Sequence, residues 1–235
     1  RDFVMNRIPE HTATVSPSGR EEAVDWDAPV WAGASALAID NFHARSSDHR
    51  PQAQARVLHA GRQVFVLFDV HDRYVRCVTT EHNGPVCRDS CVEFFVQPSG
   101  GTGYFNFEVN CGGCLHVSYV EDPRRLPGAQ GFAKYTPIPA SQAASVAIRH
   151  SLPATIDPEI TGPTSWRILL TIPLTLLEAY TGPLGQLGGQ SWRANFYKCA
   201  DDCSHPHWAS WAPLGKALDF HQPQYFAPVF FAEST

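Results

Sequence analysis

With 235 residues, 43% of them hydrophobic and 17% charged, the chain is long enough to bury a full core, and we read one domain over 1–235 with residues 1–12 as a flexible tail. A formal net charge of −5 without any basic run supplies no electrostatic footprint for nucleic acid or an anionic membrane, so neither partner is expected. No apolar stretch approaches the roughly 20 residues that span a bilayer, and the segment from Arg1 has no signal-peptide core, which leaves export open.

After a polar entry segment, Val24-Asp25-Trp26-Asp27-Ala28-Pro29-Val30-Trp31 places two tryptophans beside a proline turn, where they are expected to plug one end of the core. Residues 36–42 are strand-like. Residues 54–59 and 63–70 flank Ala60-Gly61-Arg62 as a hairpin, and Val64-Phe65-Val66-Leu67-Phe68, apolar at every position, marks a central strand covered on both sides. Asp69, His71, Asp72 and Arg73 form a charged rim where that strand ends, ahead of Tyr74-Val75-Arg76-Cys77-Val78.

The stretch 89–119 carries the most information. Residues 92–97 and 104–110 are β-prone runs around the turn Pro98-Ser99-Gly100-Gly101-Thr102-Gly103, which is the pattern of a hairpin. Strict alternation puts Phe105, Phe107 and Val109 on one face, the expected core face. Tyr104, Asn106, Glu108 and Asn110 fall on the other, beside Glu93 of the partner run. Such a row of amides and carboxylates suits a polyhydroxylated ligand, a metal or water, and antiparallel sheets commonly wet one side.

Residues 121–131, rich in Pro, Gly and charge, predict a long surface loop. Residues 145–150 and 166–172 are strand-like and are separated by the proline-punctuated 152–163. Pro173 opens one short helix, 174–180, and Gly182 suits its end. The last long strand, 192–199, leads into Asp201-Asp202-Cys203-Ser204-His205-Pro206-His207-Trp208-Ala209-Ser210-Trp211. About ten short strands and a single helix predict an all-β chain, folded as a two-sheet antiparallel β-sandwich.

Seven cysteines, an odd number in a domain large enough to fold without staples, argue against a disulfide framework; Cys91 and Cys111, next to alternating runs, are expected to be reduced and buried. Cys111-Gly-Gly-Cys114, and Cys199 and Cys203 followed by His205 and His207, have zinc-like spacing, although C-x2-C occurs once and paired half-sites are what make that signal strong. No nucleophile elbow, phosphate loop or H-E-x-x-H motif occurs. A glycosidase reading would use Glu93 and Glu108, with their separation deciding the stereochemistry. Trp208 and Trp211 lie three apart in a segment broken by Pro206 and Pro213. On a loop at the end of a sandwich their rings would be semi-exposed, and a ring face suits a sugar's C–H face; capping the core is the alternative role.

Trp26-Asp27-Ala28-Pro29-Val30-Trp31, Ser46-Ser47-Asp48-His49-Arg50-Pro51, Asp72-Arg73-Tyr74-Val75-Arg76, Asp89-Ser90-Cys91-Val92-Glu93-Phe94-Phe95, Gly103-Tyr104-Phe105-Asn106-Phe107-Glu108 and Ser204-His205-Pro206-His207-Trp208-Ala209-Ser210-Trp211 together resemble the family 9-like carbohydrate-binding proteins, over nearly the whole chain. The resemblance implies a non-catalytic β-sandwich that grips a sugar or polysaccharide end between two tryptophans, with carboxylate and amide side chains bonding its hydroxyls. It also implies a distant relation to the heme-carrying cytochrome domains of some dehydrogenases. Carried over by residue, the second tryptophan is Trp211, the carboxylate Glu93 and the amide Asn110. The first tryptophan falls at Cys87, a thiol with no stacking face, and the family's strand arginine is replaced by Glu108. A substitute ring is therefore expected from Tyr74, Trp208 or Tyr104, or sugar binding is lost.

No cofactor is expected from the resemblance. Calcium is the alternative that oxygen ligands such as Glu93, Glu108 and Asn110 would suit. A Met-ligated heme is disfavoured because Met5, in the expected tail, is the single methionine, while His or Lys ligation stays open. Carbohydrate is the expected partner. Association with a glycan-active enzyme and an extracellular or periplasmic location are what the family suggests.

Overall fold

Strand-forming alternation runs through most of the chain. The computed structural model describes residues 8–17, 24–127 and 131–233. In order, the described residues form β1 (His11–Val15), β2 (Leu37–Ala38), β3 (Asn41–Phe42), β4 (Gln52–Ala60), β5 (Gln63–Asp72), β6 (Val75–Cys77), β7 (Cys91–Gln97), β8 (Tyr104–Asn110), β9 (Leu115–Asp122) and β10 (Lys134–Pro137). Helix α1 (Ala140–Ala143), β11 (Ala147–His150), β12 (Ile156–Ile160), β13 (Thr164–Pro173), α2 (Leu174–Thr181), β14 (Ser191–Cys199), β15 (Trp208–Ser210) and β16 (Ala227–Phe231) follow. Among these, no helix is long and apolar enough to cross a membrane.

Hydrogen bonding joins fourteen strands into one curled sheet whose main path is β10-β9-β8-β7-β14-β16-β1-β4-β5-β13-β11, while β12 and β6 pair separately. This corrects the expectation of two separate, purely antiparallel sheets. β1 runs parallel to β16 on one side and to β4 on the other, and so ties the two halves of a sandwich-like fold together. It also shortens the expected tail, since His11 and Thr12 already belong to β1; residues 1–7 of that tail, with Met5, lie outside the described residues.

The two halves close on one core. Phe94, Phe107 and Phe196 of one half pack against Val66, Phe68, Trp166 and Ile168 of the other, and the Phe68 and Phe196 rings lie 6.2 Å apart. Each such side chain contributes about 1.5–3 kcal/mol when it leaves water. The sequence 64–68 is covered on both sides as expected: Val64, Val66 and Phe68 face the main core, while Phe65 and Leu67 meet Trp26 and Trp31 in a second cluster. Residues 36–42 divide into β2, paired with β4, and β3, paired with β15, and the proline-rich 152–163 contains β12. Helix α2 is the expected one; its leucines Leu174, Leu176 and Leu177 are buried, and Gly182, at φ 80°, ends it. Helix α1, four residues after Pro139, is an addition that a single-helix reading missed.

β8 occupies the expected residues and pairs with β7 as Val92↔Val109 and Phe94↔Phe107. Phe105, Phe107 and Val109 are fully buried. The opposite face is not wet: Tyr104, Asn106, Glu108 and Asn110 are buried as well. Part of the reason is coverage from distant segments, since Phe132, Leu214, Phe220 and Phe226 pack over Phe95, Tyr104 and Tyr197.

Candidate functional site

β7 and β14 pair in the register Cys91↔Cys199 and Glu93↔Tyr197. Val92, Phe94 and Val96 enter the core, so Cys91, Glu93 and Phe95 take the outer face, together with Cys199 and Tyr197. The turn around Cys87, the loop after β14, the start of β15 and the segment 218–220 rise over this face. They leave a cleft of about 220 Å³ lined by Cys87, Glu93, Cys199, Asp201, Trp208 and Phe220, with Asp219 at its edge. A second, more apolar cleft of about 480 Å³ shares Trp208 and Phe220 with it and continues past Phe42, His43 and Leu214.

The half-buried Trp208 ring is held by its edge, its indole N–H donating to Asp201 Oδ1 at 2.7 Å. Phe220 lies flat on Tyr197, centroids 4.1 Å apart. The Cys199 thiol donates to Glu93 Oε1 at 3.2 Å. Burial first, and then the neighbouring Glu108, push the Glu93 carboxyl well above the ordinary carboxylate range, and burial raises Asp201 as well. Burial also pushes the Cys91 thiol up to about 12 and raises Cys87 and Cys199, the last chiefly through its hydrogen bond with Cys91. The site therefore offers carboxyls that hold their protons more firmly than usual, and thiols rather than an activated thiolate, beside the Trp208 and Phe220 rings.

Of the residues expected from sequence, Glu93, Cys87 and Trp208 meet in this cleft. Trp211 does not. It is 7% exposed and packs edge-on to Phe196 at 5.6 Å in the core: β15 carries Trp208 outward, and Trp211, the residue after the strand's end, turns inward. Asn110 is fully buried and committed: its amide donates to Thr79 O at 2.8 Å and Asp89 Oδ2 at 2.9 Å, and its oxygen accepts the Cys114 N–H at 2.9 Å. Both amide hydrogens are taken and the side chain does not reach the cleft. Tyr104 is buried with its hydroxyl 2.8 Å from His221 Nδ1, and Tyr74 stacks on His205 at 3.6 Å, away from the cleft. Glu108 is the direct cross-strand partner of Glu93 but accepts from Asn106 at 2.8 Å outside the cleft lining. The two carboxyls thus sit side by side on one sheet face instead of facing each other across a bond to be cleaved.

Asp201, Asp219 and Phe220 line the cleft without having been singled out, and Cys199, expected only from its spacing to Cys203, lines it as well. All seven cysteines are free, and Cys91 and Cys111 are fully buried as expected. The zinc-like spacings do not assemble: Cys111 contacts Cys77, the Cys114 thiol donates to Glu81 O at 3.1 Å, and Cys203 lies 3.7 Å from Ser90 Oγ. Among the described residues, the metal-ligating side chains that converge are instead Cys91, Glu93 and Cys199.

The raised Glu93 carboxyl has a stability signature. The unfolded chain releases this proton near pH 4.5 whereas the folded chain keeps it to higher pH, so Glu93 costs stability progressively as pH rises above 4.5. Metal-free Glu93→Gln, which still accepts from Cys199, should match the wild type near pH 4.5 and unfold at a higher temperature toward pH 8, by about 2–4 °C per kcal/mol recovered. Thermal melts across that range check this, and a gap that does not change with pH would refute it.

Comparison with known proteins places the chain in a family. The model of carbohydrate-binding family 9 matches residues 31–231. A Bacteroides uniformis ATCC 8492 protein assigned a carbohydrate-binding role is similar at 27% identity, covering 94% of this chain and 98% of its own, with a TM-score of 0.80. A family 9 module of Caldicellulosiruptor kristjanssonii solved with cellotriose shares the fold at 11% identity, with a TM-score of 0.61 over 97% of this chain and 95% of its own. The same organism's family 9 module solved with glucose has a TM-score of 0.59 at 10% identity, over 95% and 97%. Among curated proteins none matches. With most of its length matched by the family model, this chain belongs to carbohydrate-binding family 9, a family of non-catalytic carbohydrate-binding modules.

Proposed function

We propose that the chain binds a glucose-type sugar unit in the Trp208 cleft. The carrying observation is a half-buried indole locked by Asp201 beside an otherwise acidic cleft. The sugar's C–H face stacks on Trp208, with Phe220 closing the apolar side, and its hydroxyls bond Asp201, Asp219 and Glu93. Glu93, kept protonated by burial, both donates and accepts. The 220 Å³ cleft is below the roughly 300–1,000 Å³ of drug-sized pockets, so it takes one ring, and further units of a chain run past Trp208 into the larger cleft. The glucose and cellotriose complexes of the structural neighbours favour this ligand class. As part of, or beside, a glycan-active enzyme, such a module would hold the polysaccharide end close to the catalytic site.

A single ring supplies less non-directional burial than a two-tryptophan clamp, at about 25 cal/mol per Å² of apolar surface, so affinity is expected near the millimolar end. Calorimetry with glucose, cellobiose, cellotriose and xylobiose tests the reading. Trp208→Ala should weaken binding at least tenfold and Tyr74→Ala should not. Cys87→Trp, which adds a ring to the cleft lining, should tighten it. No heat with any of these sugars would overturn the proposal.

A further inference from the structure

Glu93 stands apart from the buried aspartates. Asp72 has Lys198 at 3.3 Å and His49 at 2.7 Å; Asp69 has Arg167 at 2.7 Å and His71 at 3.1 Å. Asp89 accepts the Val78 and Thr79 N–H groups and the Asn110 amide. Glu93, 2% exposed, has among the described residues the Cys199 thiol as its single hydrogen-bond donor and no cationic side chain paired with it. A buried carboxylate without a cation is costly, and two more anionic ligands in waiting lie against this one. Cys91 and Cys199 face each other across β7 and β14, and one ligand atom from each of Cys91, Glu93 and Cys199 falls within 4.8 Å of the others.

We propose that Cys91, Glu93 and Cys199 form a binding site for a borderline-soft divalent cation of the zinc class, opening onto the cleft at Cys87. The spacing suits such an ion: zinc takes thiolate sulfur at about 2.3 Å and carboxylate oxygen at about 2.0–2.2 Å, which sets tetrahedral ligands about 3.5–3.8 Å apart, a modest adjustment of a cluster whose atoms lie within 4.8 Å and in which Cys199 Sγ and Glu93 Oε1 are 3.2 Å apart. Two thiols select zinc over calcium, which needs 6–8 oxygens. Cys87 packs on the Cys91 and Cys199 pair and lines the open cleft, so it or a water can complete the tetrahedron, and the cleft is the entry path. On binding, the ion replaces the Cys91 and Cys199 thiol protons and the proton that burial holds on Glu93, all of which pass to solvent. A carboxylate that ligates through one oxygen keeps the other for the cleft. The site does not rest on the sugar reading, and its test uses no sugar.

The experiment starts from reduced, chelator-stripped protein titrated with Zn²⁺ and, as a spectroscopic probe, Co²⁺. One equivalent should bind, with a thiolate-to-cobalt charge-transfer band and a raised melting temperature. Cys91→Ser and Cys199→Ser should abolish the band, while Cys77→Ser, outside the cluster, should leave it unchanged. Glu93→Gln, the variant least disruptive to packing, should weaken Zn²⁺ at least tenfold and keeps the test decisive if the serine variants do not fold. Absence of binding, a band that survives Cys91→Ser, unchanged affinity in Glu93→Gln, or a Cys91–Cys199 disulfide in the protein purified without reductant would each overturn the proposal.

Discussion

Trp211→Ala is expected to lower stability by about 3–5 kcal/mol while the folded fraction keeps its ligand affinity. The ring fills core space between Phe196 and His11, with centroids 5.6 and 6.4 Å away. Its own backbone is tied in, the N–H to Phe196 O at 2.9 Å and the carbonyl to the Asn41 amide at 2.6 Å. Strands bonded on both sides cannot collapse into the vacated volume, so transfer and cavity costs add. A midpoint drop of about 2–4 °C per kcal/mol should appear in thermal melts. A variant as stable as the wild type that has lost ligand binding would instead return Trp211 to the site.

Lys198→Met is expected to cost about as much, for an electrostatic reason. Lys198 is fully buried, its Nζ 3.3 Å from Asp72 Oδ2, 2.7 Å from His207 Nε2 and 3.0 Å from Cys199 O. Burial works against the Asp72 charge, yet Lys198 and the His49 hydrogen bond hold its pKa at about 2. Burial, then Lys198, push His207 down to about 3, so it is neutral and accepts from Lys198 while its other nitrogen donates to His205 O at 2.9 Å. Removing the ammonium strands the Asp72 charge, a loss of about 3–5 kcal/mol, whereas the double variant Lys198→Met with Asp72→Leu should recover most of it. The sign with pH follows: Asp72 binds its proton less readily folded than unfolded, so its contribution is present above pH 3.8 and lost as pH falls toward 2. Urea titrations of the single and double variants decide it; equal losses in both would show that the pair is not coupled. The consequence reaches the cleft, because this network anchors the 205–207 segment that delivers Trp208.

Period-two alternation made β8 and its core face legible, since Phe105, Phe107 and Val109 report on the residues' own strand. It says nothing about which distant segment covers the other face. Phe220 and Phe226 arrive there from more than 100 residues away, and without them Asn106 and Glu108 look wet. That Glu93 and Cys87 lie together was legible from the family pattern around Asp89-Ser90, and both line the cleft. The same pattern expected Trp211 at the sugar, whereas its ring packs in the core: an odd spacing from Trp208, just past the end of β15, turns it to the opposite face. Asn110 illustrates a limit of residue type, since an amide on a sheet face serves a turn or a ligand equally well until its partners are known. Asp201 and Asp219 carry no spacing signal, and only the fold brings them to one cleft.

The proposed sugar site lies at Trp208, over the outer face of β7 and β14. The chain has six tryptophans, whose indole N–H resonances can be followed separately by NMR in a titration with cellobiose. The account predicts that the Trp208 resonance, whose N–H is held by Asp201, moves and saturates, while that of the core residue Trp211 stays in place. Movement of Trp211 without Trp208, or no movement of either at saturating cellobiose, would contradict it.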